Sequence, residues 1–217
     1  MQITRLFEKF DELQQIYGDK NLDAIYGCGN THSPSLCLVF INPTARNVSA
    51  NKKWHGIKAP WIGTKNVWNM FYQLDLFSKE FVDEINSKKP TDWNYGFSKM
   101  VYEKVCENSI YITNLSKATQ VDARALSNTI FRKYIDLFKK EINDIKPHVI
   151  ITFGNQVSSV LLNKNIKVSE YRKRYELFDI NGVSYKIFPV YYPVGQGRRN
   201  MHIAKEDIKW IIKHHIK

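Results

Sequence analysis

The chain has 217 residues, 43% hydrophobic and 13% aromatic, which is typical of a folded globular protein and excludes an intrinsically disordered one. Its longest apolar runs fall well short of the roughly 20 residues that a membrane-spanning helix needs, and the N-terminus lacks the pattern of a signal peptide, so we expect an intracellular protein. The net charge of +11 favours an anionic partner, nucleic acid first.

The positive charge is unevenly distributed along the chain. Residues 1–30 carry three basic and five acidic side chains, whereas residues 164–217 carry twelve basic and five acidic ones. A generally lysine-rich proteome would raise the net charge evenly, so this segregation favours a binding face. The three cysteines, Cys28, Cys37 and Cys106, are scattered, and neither they nor the histidines have metal-ligand spacing, so we expect no metal and no cofactor.

The first elements are an N-terminal helix and a buried strand. Apolar residues at helical spacing predict a helix over residues 4–17, followed by a turn-rich connection at 27–34. The unbroken apolar run at 36–41 predicts a strand that is buried on both faces and ends at Asn42-Pro43. Residues 42–68, which follow, hold five basic residues, no acidic one and three tryptophans. This segment is our candidate active-site loop, because ligands bind outside the carboxyl ends of such strands.

The remaining elements alternate between helices and strands. Thr64 is expected to cap a helix that continues to Leu76, and residues 78–95 are expected to be a surface excursion. Further predicted segments are a strand at 109–113, a long helix at 126–145, a strand at 148–153, a helix at 156–162, a hairpin at 175–180 and 183–191 around Asn181-Gly182, and a last helix at 200–215. The order predicts one α/β domain over 1–217, a three-layer α/β/α sandwich around a mainly parallel four-stranded sheet, with 1–35 as a helical extension.

Four strand ends should meet at one edge of this sheet: Asn42-Pro43, Asn114, Gly154 and Tyr192-Pro193. The loop after the last one holds two glycines and two arginines before a helix, which favours phosphate binding, although plain surface exposure would explain it too. Neither a Walker motif nor a dinucleotide-binding glycine motif is present, which disfavours nucleotide cofactors.

Three of these regions together resemble the uracil-DNA glycosylase superfamily, nearest its mismatch-specific uracil and thymine glycosylase branch. The matching segments are Phe40-Ile41-Asn42-Pro43 with the helix at 65–72, Ile112-Thr113-Asn114-Leu115-Ser116-Lys117-Ala118-Thr119, and Tyr192-Pro193-Val194-Gly195-Gln196-Gly197-Arg198. The sequence departs from the family at Thr44, where glycine is usual, and at Tyr191-Tyr192, where several branches have histidine. The four-cysteine cluster of another branch is absent.

The resemblance implies a monofunctional glycosylase that removes uracil or a related deaminated base flipped out of single- or double-stranded DNA. Asn42 would position the water, and the base would be bound by Asn114, by the backbone near Ile41 and by stacking on Trp61, or alternatively on Trp54. Gln196 would be a wedge between Gly195 and Gly197, with Arg198, Arg199 and Arg46 contacting DNA. We expect a monomer, cytoplasmic and nucleoid-associated if prokaryotic.

Blander interpretations exist for the same residues. Asn42 can cap a turn before Pro43, and Asn114 can be an ordinary strand-end turn residue. Two other functions therefore stay open: a non-catalytic nucleic-acid-binding protein of the same fold, and an α/β hydrolase or transferase acting on a small anionic substrate.

Overall fold

The computed structural model of the protein describes residues 3–124 and 126–216, without the side chains of Ile3 and Gln196. Its centre is a six-stranded sheet in the order β1-β3-β2-β4-β6-β5. The strands are β1 (Cys28–Gly29), β2 (Leu36–Phe40), β3 (Ile110–Asn114), β4 (Val149–Phe153), β5 (Glu176–Ile180) and β6 (Val183–Val190).

The four central strands run parallel, and this confirms the predicted α/β class. β2, β3 and β4 are buried along their whole length, which is why each reads as a continuous apolar run. The sheet has six strands rather than four, because β1 and β5 add antiparallel strands at its two edges. β5 and β6 form the predicted hairpin, with Asn181 and Gly182 both at positive φ as a tight turn between twisted strands requires.

Helices cover both faces of the sheet. Alternate residues of each central strand point into two separate hydrophobic clusters, with Leu38 and Ile151 in one and Val39 and Ile150 in the other. The first cluster is closed by α2 (Asn66–Gln73), α3 (Lys79–Ser87), α4 (Tyr95–Glu107) and α8 (Met201–His215), and the second by α1 (Phe7–Tyr17), α5 (Asn128–Arg132), α6 (Ile135–Ile145) and α7 (Asn155–Leu162). No helix among the described residues is long and apolar enough to cross a bilayer.

The segment 78–95, expected as a surface excursion, contributes to the core. It contains α3, which Ser78 caps and which buries Val82 and Ile85 in the first cluster. Helix α4 follows directly and was not anticipated. Asn94 caps it by accepting a hydrogen bond from the Phe97 N–H at 3.0 Å. The cap and the buried Phe97 four residues before Val101 are the sequence signals that identify this helix.

Two helix boundaries differ from the prediction. Thr64 does not cap α2, because its hydroxyl donates instead to the carbonyl oxygen of Trp61 at 2.7 Å. α2 also ends at Gln73 rather than Leu76, since Asp75 has a left-handed backbone that stops the helix. The predicted long helix at 126–145 is split into α5 and α6 just before the buried Tyr134.

The central strands, not the exposed helix surfaces, should dominate stability. Ile151 in β4 is 0% exposed, so Ile151→Ala should lower the free energy of unfolding by about 2–5 kcal/mol through lost burial and a residual cavity. Chemical denaturation measures this change. Ile16→Ala is the matched control: Ile16 is 66% exposed on α1, and its loss should change stability by less than about 0.5 kcal/mol. Equal losses in both variants would contradict the assignment of the core.

Candidate active site

A cavity of ≈ 380 Å³ opens at the carboxyl ends of β2, β3 and β6. Chain topology places it there, because the ends of neighbouring parallel strands meet at one edge of the sheet. The described residues that line it come from the ends of these three strands and the segments that follow them and are Ile41, Asn42, Pro43, Thr44, Arg46, Asn47, Pro60, Trp61, Thr64, Asn66, Asn114, Ala123, Tyr192, Val194, Gly195 and Gly197. Three of the four predicted strand ends therefore converge on it.

The pairing of β2 with β3 brings two asparagines to this cavity. Phe40 lies opposite Asn114 in the parallel register. Beyond the strands, the backbone N–H groups of Leu115 and Ser116 donate to the carbonyls of Phe40 and Ile41, at 2.8 and 3.1 Å. The turn after β3 is thus fixed to the end of β2, with Asn42 and Asn114 both lining the cavity.

The side chain of Asn42 is 8% exposed, and its amide is held in one orientation. Its Nδ2 donates to the carbonyl oxygen of Pro43 at 3.1 Å. No donor to its Oδ1 is found in the part of the chain that the structure describes. The fixed nitrogen therefore leaves the oxygen as a hydrogen-bond acceptor on the cavity wall.

Asn114 is 3% exposed, and neither atom of its side-chain amide makes a hydrogen bond within residues 3–124 and 126–216. Both groups of this amide face the cavity, where a ligand that offered one donor and one acceptor would pair with them. Asn114 is therefore the side chain of the cavity best suited to recognising a polar planar edge.

Aromatic rings form another wall of the cavity. The ring of Trp61 packs edge-on against Phe40, with centroids 4.8 Å apart, and Tyr192 lies 6.0 Å from Phe40 in a similar arrangement. Burial raises the pKa of the Tyr192 hydroxyl well above its usual range, so this side chain is neutral. The wall can therefore stack on a flat ligand without adding negative charge.

Trp61 has an unusual local structure. Its backbone is left-handed, with φ of 67°, and its buried indole Nε1 has no hydrogen-bond partner among the described residues. Both the N–H and the hydroxyl of Thr64 donate to its carbonyl oxygen, at 3.1 and 2.7 Å. Trp68 donates to the same oxygen at 3.3 Å from the first turn of α2. These bonds hold Trp61 in a conformation that a bulky residue rarely adopts.

Asn47 holds the loop that carries Trp61, a role that the sequence did not reveal. This buried side chain donates to the carbonyl oxygen of Ala59 at 2.7 Å and accepts from the backbone and hydroxyl of Ser49. Tyr102 of α4 donates to the carbonyl of Pro60 at 2.7 Å. The bonds from Asn47 to Ala59 and from Tyr102 to Pro60 join residues far apart in sequence, so no local sequence pattern predicts them.

The glycine loop closes the cavity after β6. Gly197 approaches the backbone so closely that a Cβ there would lie 2.0 Å from the carbonyl oxygen of Tyr192. Gly195 has φ of +59°, a left-handed conformation that favours glycine. Both glycines line the cavity, whereas the exposed Arg198 and Arg199 lie just outside it in the short 3-10 helix Gly195–Asn200. The proposed wedge, Gln196, has its side chain outside the described residues.

The lining is uncharged apart from one cation. Arg46 is exposed at the rim, and no acidic side chain is found among the described lining residues. Lys58 of the same loop is paired with Asp23 at 2.9 Å, while Lys52 and Lys53 are exposed. The electrostatic environment therefore favours a ligand that carries or develops negative charge.

Trp54 and the cysteines lie elsewhere. Trp54 donates its indole N–H to the carbonyl of Ile57 at 3.1 Å and packs against the first cluster, and the structure does not bring it to the cavity. Cys28, Cys37 and Cys106 are all unpaired, and burial raises the pKa of each thiol. No group of three or more potential metal ligands occurs among the described residues.

The chain is similar to one known protein family and to a characterised relative. The model of the uracil DNA glycosylase superfamily matches residues 26–214 of the chain. A relative described as a type-4 uracil-DNA glycosylase, from Saccharolobus solfataricus, is 30% identical over 88 residues. That match covers 39% of this chain and 41% of the relative, so the chain matches about two fifths of the relative's length.

The close approach at Gly197 gives a direct test of the loop geometry. Gly197→Ala should lower the free energy of unfolding by about 1–3 kcal/mol, because the neighbouring atom is backbone and cannot move aside. Gly96→Ala in α4 is the control: its added methyl meets only Asn94 at 3.5 Å and should leave stability unchanged or raise it by up to about 1 kcal/mol. Denaturant titration of both variants decides, and a neutral Gly197→Ala would contradict the loop geometry.

Proposed function

The chain belongs to the uracil DNA glycosylase superfamily, and from this premise we propose that it hydrolyses the N-glycosidic bond of uracil, or of a related deaminated base, in DNA. The product is an abasic site with the sugar–phosphate backbone left intact. The observation that carries the proposal is the cavity in which the Asn42 Oδ1 and the Asn114 amide, both without partners among the described residues, share one space with the Trp61 wall.

The geometry suits a base that has been flipped out of the DNA. Chemistry at the bond between sugar and base requires the nucleotide to leave the stack and enter a pocket. Asn114 offers the donor and acceptor that the O4 and N3–H of uracil need, and stacking on Trp61 would contribute roughly 1–3 kcal/mol. The backbone N–H groups of Ile41 and Asn42 donate to no backbone carbonyl in the described part of the chain, which supports their use for a carbonyl oxygen of the base.

The chemistry follows from the charges of the cavity. As the bond breaks, the sugar becomes oxocarbenium-like and negative charge develops on the leaving base. The described lining residues include no acidic side chain that would repel this negative charge, and hydrogen-bond donors stabilise it. Asn42 accepts a hydrogen bond from the attacking water and orients it. Because the amide is neutral and a poor base, we expect slower turnover than an aspartate at this position would give.

The branch within the superfamily concerns the choice of base. The motifs resemble the mismatch-specific branch, whereas the relative from Saccharolobus solfataricus is described as a type-4 enzyme. Thr44, at a position where glycine is usual, lines the cavity and adds a methyl and a hydroxyl to it. Release of thymine from a mismatch would support the mismatch-specific assignment, and release of uracil alone would oppose it.

An assay on defined oligonucleotides tests the proposed activity. Single- and double-stranded substrates containing uracil, mispaired thymine or hypoxanthine are incubated with the protein, and abasic sites are revealed by alkaline cleavage. Strand breaks before alkali would contradict the monofunctional assignment. Salt-dependent binding with no abasic product would support the non-catalytic alternative, and the absence of both would support an enzyme for small anionic substrates.

Asn42→Ala should reduce single-turnover base release by at least about 100-fold, because the variant cannot orient the water. Binding to an oligonucleotide should stay within about twofold of the wild type, since Asn42 lies inside the cavity. Asn21→Ala, at an exposed position outside the cavity lining, is the matched control and should be fully active. Unchanged turnover of Asn42→Ala would remove Asn42 from its assigned role.

Arg198 and Arg199 should contribute phosphate contacts, which weaken with salt. Replacing each by Gln should reduce the slope of log affinity against log salt by about 0.9 for double-stranded DNA. Lys9→Gln on α1, where Lys9 pairs with Glu12, removes the same charge elsewhere and should leave the slope unchanged. Equal slopes for all three variants and the wild type would exclude the two arginines from the DNA interface.

A further inference from the structure

A fully buried ion pair lies directly behind the cavity. The side chains of Lys117 and Glu141 are 0% and 1% exposed, and the Lys117 Nζ lies 2.7 Å from Glu141 Oε2. Lys117 also donates to the Thr113 hydroxyl at 2.7 Å and to the carbonyl oxygen of Asn114 at 2.6 Å. Glu141 Oε1 accepts from the hydroxyls of Tyr111 and Thr113, at 2.9 and 2.8 Å. All three ammonium hydrogens therefore have an acceptor.

Stability alone is a weak explanation for such a pair. Removing two charges from water costs about as much as their attraction returns, and well-packed neutral residues often stabilise a core equally well. The network also requires glycine at position 27, because a Cβ on Gly27 would lie 2.1 Å from the Tyr111 hydroxyl and 2.5 Å from Glu141 Oε1. What the charged network provides, and an apolar core would not, is a strong donor aimed at one backbone carbonyl.

That carbonyl belongs to Asn114. The position of this backbone group matters because few other contacts hold the Asn114 side chain. The side chain lines the cavity and makes no hydrogen bond of its own within the described residues. The backbone therefore has to place its Cα–Cβ bond correctly if the amide is to face the cavity. Leu115 and Ser116 bind the end of β2 on one side, and the bond from Lys117 to the Asn114 carbonyl closes the turn on the other.

We propose that Lys117, balanced by Glu141, is a positioning residue that fixes the Asn114 amide for recognition of the flipped base. The inference rests on the proposed function, since it assigns Asn114 the role of reading the base. Lys117 itself does not line the cavity, so it touches no substrate and acts only through Asn114. It also takes no part as a nucleophile, because its ammonium group is enclosed by the carboxylate and two oxygens of β3.

The test removes both charges at once, so that neither is left buried without a partner. Lys117→Met with Glu141→Gln keeps an acceptor for the Tyr111 and Thr113 hydroxyls but loses the donor to Asn114. We expect near-normal stability, unchanged affinity for DNA and a single-turnover rate lowered by about 100-fold, the loss typical of a misplaced reacting group. A full rate in this folded variant would overturn the proposal.

A double-mutant cycle identifies the route of the effect. In an Asn114→Ala background the same charge removal should lower the rate by less than threefold, because the group that Lys117 positions is already absent. An undiminished loss in that background would show that Lys117 does not act through Asn114. Should Lys117→Met with Glu141→Gln not fold, Lys117→Leu with Glu141→Gln replaces it, a variant that also lacks the donor to the Asn114 carbonyl.

The control removes a matched buried charge elsewhere. Asp207 on α8 is 1% exposed and binds Arg172 at 3.0 Å, outside the cavity lining. Asp207→Asn should lower stability and leave the single-turnover rate unchanged. A similar loss of rate here would mean that any buried ion pair affects turnover through stability alone, and the proposal would fall.

Hydrogen exchange separates this inference from the proposed function. At unchanged global stability, the Leu115 and Ser116 amides of the charge-free variant should exchange at least tenfold faster, because the turn they anchor is no longer closed. Unchanged protection would overturn the positioning role even in an inactive protein. A wild type that releases no base from any oligonucleotide would refute the proposed activity, while the exchange rates would still decide whether Lys117 holds the turn.

Discussion

Parallel pairing of β2 with β3, with Phe40 opposite Asn114, is the constraint on which the site depends. A shift of one residue would turn alternate side chains to the opposite face of the sheet. It would also separate the end of β2 from the turn that donates to Phe40 and Ile41. The register is specified because β2 and β3 are buried on both faces, and their apolar residues alternate between two hydrophobic clusters. Core packing thus determines where the two asparagine side chains lie.

The long loop after β2 shows a second kind of specification. It has little regular structure, yet its backbone polar groups are satisfied by particular side chains, among them Asn47, Thr64 and Tyr102. The Asn47 and Tyr102 bonds join residues that are distant in sequence, whereas the Thr64 bond is local and fixes the turn after Trp61. Buried loop backbone must be hydrogen-bonded, so such a loop adopts one conformation only when the right side chains are present. The loop that forms this wall of the cavity is therefore held in one conformation by individual side-chain hydrogen bonds, whereas a strand is held by a repeating backbone pattern.

The difference between these two mechanisms explains what could be predicted from the sequence. β2, β3 and β4 were predictable because a continuous apolar run has one simple meaning in a sheet covered on both faces. Asn42 and Asn114 followed from their place at strand ends. Asn47 did not, because nothing near it in the sequence indicates that Ala59 is its partner. The local sequence predicts Thr64 as a helix cap, whereas in the fold its hydroxyl donates to the carbonyl oxygen of Trp61.

Trp61 has a thermodynamic consequence for binding. A left-handed backbone at a bulky residue and a buried N–H without a partner among the described residues each cost about 1–3 kcal/mol, and this cost is met on folding, before any ligand binds. A ligand that stacks on the indole ring therefore meets a side chain whose conformation is already fixed, and its affinity should reflect this preorganisation.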